Sequence, residues 1–153
     1  MEFLMTYGWA ILVVLAAIGA LAYFGILSPD RILPQSCTMS GGFNIVDCKA
    51  TAGTALQMSF QNNLGADATN VTFTFDLTPG SAIPACVNNV HPAAPPYINL
   101  ANGETTGTPF NFCDTEMATA TTGRIKGTVE ARYTKSGETL AHTATGSVNL
   151  RLE

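Results

Sequence analysis

The stretch Arg124–Leu152, RIKGTVEARYTKSGETLAHTATGSVNLRL, alternates apolar and polar residues along two arms that flank a turn. Ile125, Gly127, Val129, Ala131 and Tyr133 share one phase. Arg124, Lys126, Thr128, Glu130, Arg132 and Thr134 share the other. Successive side chains of a strand point to opposite faces, so a period of two marks a half-buried strand. Lys135-Ser136-Gly137-Glu138 supplies the turn. The returning arm puts Leu140, His142, Ala144, Gly146, Val148, Leu150 and Leu152 on the buried phase. The pattern predicts an antiparallel hairpin with one face in a core.

The same period recurs upstream. Leu56, Met58 and Phe60 alternate with Gln57, Ser59 and Gln61, and Val71, Phe73, Phe75 and Leu77 alternate with Thr72, Thr74 and Asp76. Asn63-Leu64-Gly65-Ala66-Asp67 lies between them and is rich in turn formers, which predicts a second hairpin. Ala82 to Pro96, with Pro84, Pro92, Pro95 and Pro96, reads as an irregular excursion. Short strands with no second long amphipathic helix predict a β-sandwich, Ig-like in type, of roughly six to eight strands over residues 37–153.

Ahead of this head the composition changes. No Asp, Glu, Lys or Arg lies between Glu2 and Asp30. Phe3 to Leu27 is apolar on every face and, as a helix, would reach roughly 37 Å, against a hydrocarbon core of about 30 Å. This predicts a long hydrophobic α-helix over residues 1–28, ended by Ser28-Pro29, then a hinge over 29–36. The fold class expected is α+β.

Three readings of the apolar segment stay open. A secretory signal peptide should begin with a basic region, and no Lys or Arg precedes the run. A single-span anchor is oriented poorly by Arg31, which would draw the head to the cytoplasmic side. The third reading is a helix held in a membrane before assembly and then packed among copies of itself. Gly8, Gly19 and Gly25, with Ala10, Ala16, Ala17, Ala20 and Ala22, would let such helices approach closely. Glu2 sits favourably for the helix dipole and could pair with the terminal ammonium of a neighbouring chain.

Cys37, Cys48, Cys86 and Cys113 are an even set, read as two disulfides of an exported head. Three pairings exist, and joining sequence neighbours, Cys37 to Cys48 and Cys86 to Cys113, closes the shorter loops. No C-x-x-C is present, and His91 and His142 lack zinc-site spacing, so no metal or other cofactor is expected. Asn70-Val71-Thr72 is an N-glycosylation sequon, so Asn70 is a candidate glycan site of a glycoprotein. Eleven acidic against seven basic residues, net charge −4, argue against a nucleic-acid partner. Asp114 and Glu116 are a possible carboxylate pair, but no partner residue strengthens them, and no enzyme activity or catalytic residue is expected.

The run Glu2-Phe3-Leu4-Met5-Thr6-Tyr7-Gly8-Trp9-Ala10-Ile11-Leu12, followed by an apolar helix, resembles the N-terminal region of archaeal type IV pilins and related class III signal-peptide proteins. Ser28-Pro29-Asp30-Arg31 to Cys37 and Thr143-Ala144-Thr145-Gly146 are similar to small archaeal pilin-like proteins, more loosely. In the family the acidic residue lies a few positions inside the processed terminus; here it stands second. The resemblance implies a major pilin of an extracellular archaeal pilus used in cell adhesion, with helices in the filament core and heads outside. The implied partners are further copies of the chain in a helical homopolymer, a prepilin peptidase, the pilus assembly machinery and the cytoplasmic membrane before assembly. Glu2, Gly8, Trp9, Ala16 and Gly19 are the assembly candidates. The competing function is a membrane-anchored surface domain that binds sugar or protein.

Overall fold

The computed structural model describes residues 2–24 and 34–153, with helix side chains from residue 7 onward. It divides into two compact units, Met1–Pro34 and Gln35–Glu153. In the second unit the expected alternation becomes two antiparallel sheets. The first contains β1 (Ser36–Met39), β9 (Ala141–Arg151), β8 (Arg124–Lys135), β4 (Ala68–Leu77) and β5 (Val90–His91) in that order, and β6 (Ile98–Leu100) also pairs with β4. The second contains β2 (Phe43–Thr51), β3 (Ala55–Asn62) and β7 (Phe110–Phe112). A four-residue helix, α2 (Asp114–Met117), follows β7.

The β8–β9 hairpin forms as the alternation predicts, with Thr134 opposite Ala141 and Arg124 opposite Arg151. Ile125, Gly127, Val129, Ala131 and Tyr133 are buried. Gly127 faces the ring of Phe75, and a Cβ there would collide with it. Leu140 departs from its expected place: it precedes β9 and is 69% exposed. The inner faces of the two sheets meet through aromatic rings. Phe60 of β3 stacks on Phe73 of β4, with centroids 3.9 Å apart and planes 8° from parallel. Phe43 of β2 adds edge contacts to Phe73 and Tyr133. Such pairs contribute roughly 0.5–1.5 kcal/mol each beyond the area they bury.

The expected hairpin between the strands around Met58 and Phe73 does not form. β3 pairs with β2 and β7, while β4 pairs with β8, β5 and β6. The chain crosses from one sheet to the other at Asn62, which is fully buried. Its side-chain amide donates to the carbonyls of Ala66, Leu100 and Ala101 at 2.9, 2.9 and 3.3 Å. Its side-chain oxygen accepts the Leu64 N–H at 2.9 Å. Backbone groups that a hairpin ladder would pair are thus paired by one side chain, which removes the cost of burying them bare.

Disulfides Cys37–Cys48 and Cys86–Cys113 are both present. The first joins β1 to β2, edge strands of the two sheets. The second joins the segment before β5 to the residue after β7, at the opposite edges, where Cys113 N–H also donates to the Asn88 carbonyl. The Ala82–Pro96 excursion therefore contains a short strand, β5, and is tied down by its cysteine.

The first unit corrects the fold class. The described residues are mostly β-sheet, with one short N-terminal helix rather than a long hydrophobic one. Helix α1 runs Glu2–Tyr23, short of the expected residue 28. Its described side chains, Tyr7 to Tyr23, cover 17 residues. Among the described residues no helix is long and apolar enough to cross a membrane, so the expected transmembrane helix is not found. The stop at Ser28-Pro29, Gly25, Arg31 and most of the 29–36 hinge lie outside the described residues.

Replacing Asn62 with Leu should destabilise the head by about 3 kcal/mol, since it strands buried carbonyls, and lower its melting midpoint by about 10 °C in a calorimetric scan. From the loop lengths of 27 and 11 residues, losing Cys86–Cys113 through paired Ser substitutions should cost about 3.6 kcal/mol and losing Cys37–Cys48 about 2.8 kcal/mol. Denaturant titration of the two double variants checks that order.

Candidate functional site

Helix α1 contains no Pro, and from Tyr7 to Tyr23 it carries no charged residue. Trp9 and Leu12 are each 68% exposed and Leu15 is 64% exposed. Every described side chain of α1 except that of Ala10 is exposed. A water-facing helix normally has a polar side. This one presents apolar surface around its circumference, far more than the scattered apolar residues of an ordinary surface.

Two of the assembly candidates share a face. Gly8 and Gly19 are eleven residues apart, which places them about 20° apart around the axis and roughly 16 Å along it. Leu12 and Leu15 lie between them on that side. A Cβ added at either glycine would meet nothing within 4 Å. Each glycine weakens a helix by about 1 kcal/mol relative to Ala, and no close approach among the described residues accounts for that cost. Ala16 and Trp9 are also exposed but sit about 80° and 100° round from Gly8. The side chain of Glu2 lies outside the described residues.

The head separates its titratable residues. His142 and Glu138 are paired at 2.6 Å across the β8–β9 turn, and the imidazole stacks on Tyr133. His91 lies against the rings of Phe110 and Phe112, and its Nε2 is buried with no hydrogen-bond partner. Asp114 accepts from the amide of Asn88 and from the Thr115 N–H, while one Glu116 oxygen is buried without a partner. These groups are dispersed over three places in the fold. Among the described residues no group of three His, Cys, Asp or Glu could hold a metal ion.

Asn70 of the sequon is exposed on β4, with a positive φ of 54°. The alternation of β4 shows nothing of this turn in the backbone. Register slips against β8 and β6 on either side of Asn70 create it. No protein-family model, curated protein or solved structure matches the chain.

Burial raises the Tyr133 hydroxyl above its ordinary pKa, and the Glu138 carboxylate adds to the shift. The unfolded chain ionises this group first as pH rises past 10, so the unfolded state binds fewer protons and native stability falls. Below that pH both states keep the proton and the term vanishes. Head stability measured by denaturant titration should drop as pH rises past 10, and Tyr133→Phe should flatten that slope.

Proposed function

We propose that the chain is the structural subunit of an extracellular filament, polymerising through helix α1, in the manner of the archaeal type IV pilins that Glu2–Leu12 resembles. The observation that carries this reading is the uncharged, apolar and exposed surface of α1 from Tyr7 to Tyr23, with Gly8 and Gly19 on one face and open space in front of both. Identical helices packed side by side cover such a surface, and the glycines let two backbones come close. Fully burying a large apolar side chain contributes about 1.5–3 kcal/mol relative to water. Ten apolar or aromatic side chains of Tyr7–Tyr23 are exposed in this way, so the gross drive toward association is of order 15–30 kcal/mol per subunit. The two disulfides support an oxidising compartment for the head. A prepilin peptidase and an assembly machinery are the partners this reading entails, and surface adhesion is the role it assigns to the polymer.

Electron microscopy of native material tests the reading. Regular helical rods built of this chain are expected, and a chain that is extracted only as detergent-bound monomers overturns it. Gly19→Phe and Ala16→Phe should each abolish rods while leaving the melting midpoint of the head unchanged; rods in both variants contradict packing through α1.

A further inference from the structure

A groove of about 520 Å³ opens on the head beside the sequon. Its lining includes Asn70 and Thr72 of β4, Pro92 and Tyr97 of the connection between β5 and β6, and Arg132 and Thr134 of β8. Asn70 is set apart from its strand. Its N–H donates to the side chain of Asn99 at 3.2 Å instead of to a ladder carbonyl, and its own carboxamide makes no hydrogen bond among the described residues. Asn62, Asn99, Asn102 and Asn149 have their side chains engaged. A bulge of this kind re-aims a side chain out of the ladder.

We propose that Asn70 carries an N-linked saccharide and that the adjoining groove seats the first sugars of that same chain. Attachment joins the Asn70 amide nitrogen to C1 of a sugar carried on a lipid phosphate donor. The bond from C1 to the phosphate oxygen breaks, the lipid phosphate leaves with the electron pair, and the amide gives up one proton. Nothing is oxidised or reduced. The groove then supplies what a pyranose needs. Tyr97, 42% exposed, offers a ring face to the C–H side of the sugar. The hydroxyls of Thr72 and Thr134 can donate to or accept from ring hydroxyls. Arg132 is exposed and meets no carboxylate among the described residues, so its guanidinium fork is open to hydroxyls or to the carboxylate of an acidic sugar. The sequon speaks for attachment; the groove decides where the sugar lies. This proposal rests on export of the head and not on polymerisation, and its readouts do not depend on whether rods form.

The test uses the full-length chain isolated from the organism that makes it. Thr72→Val removes the acceptor hydroxyl without touching Asn70, and Thr72→Ser restores it. The peptide containing residues 70–72 should gain the mass of whole sugar residues in the native and Thr72→Ser chains and gain none in Thr72→Val. Hydroxyl-radical oxidation of Tyr97 should be several-fold slower in the two glycosylated forms, with Trp9 oxidised equally in all three. Equal melting midpoints for the two variants show that the head is intact in both. An unmodified native peptide overturns the proposal, and so does Tyr97 oxidation that is the same in Thr72→Ser and Thr72→Val. Protection of Tyr97 in Thr72→Val by added uronic-acid oligosaccharide, without any sugar on native Asn70, assigns the groove to an external saccharide and also overturns it.

Discussion

The buried amide of Asn62 is the contact on which the two-sheet arrangement depends. A chain that leaves one sheet and enters another must turn inside the core, where unpaired carbonyls and amides are costly. Asn62 offers two donor hydrogens and an acceptor in the space of one side chain, and all are taken by backbone groups of the crossing and of the Leu100–Ala101 segment. Its own N–H donates to the Glu104 carbonyl and its carbonyl accepts from Gly103. With the crossing satisfied, Phe60 and Phe73 arrive on facing sheets and stack. An apolar residue of similar size would fill the volume and leave the backbone polar groups bare.

The edges of the sandwich pose a second problem, because each sheet ends in strands with free hydrogen-bonding groups. Cys37–Cys48 ties one pair of edges and Cys86–Cys113 ties the region of the other. Main-chain bonds add to them: Glu153 donates to the Ala50 carbonyl and accepts from Ala52, linking the residues after β9 to β2. His91 and the two β7 phenylalanines fill the far edge with aromatic surface. Covalent and apolar closure together let a head with few charged residues keep its sheets in register.

The helix obeys a different logic. In the head most large apolar strand residues are buried in the core, whereas the side chains of α1 remain in contact with solvent. Water penalises that surface in proportion to its area. The glycines of α1 deepen the contrast with the head, where Gly127 and Gly146 are held by close neighbours: the Phe75 ring at one, and the Thr38 carbonyl with Val129 at the other. Gly127 and Gly146 answer to contacts within the head, whereas a Cβ at Gly8 or Gly19 would meet nothing within 4 Å.

Much of the head was legible in advance because alternation reports which face a residue takes. The phases of β3, β4 and β8, the turn at Lys135–Glu138 and the cysteine pairing by sequence neighbours all follow from local pattern and loop length. Alternation is silent on which strand lies alongside which. Asn63–Asp67 has the composition of a hairpin turn and serves instead as a crossing between sheets, since the outcome rests on Asn62 reaching carbonyls nearly 40 residues away. The bulge at Asn70 and the groove beside it were likewise hidden, because both arise from strand register and from a distant connection folding near β8. The length of the apolar run promised more helix than α1 provides, as hydropathy counts residues and does not mark where helical geometry ends. What the sequence determined by itself was the burial phase of each strand and the greasy character of the N-terminus, which are short-range properties of side chains. Only the tertiary structure decided the partition of strands between sheets and the setting of Asn70, because those depend on hydrogen bonds between residues far apart in the chain.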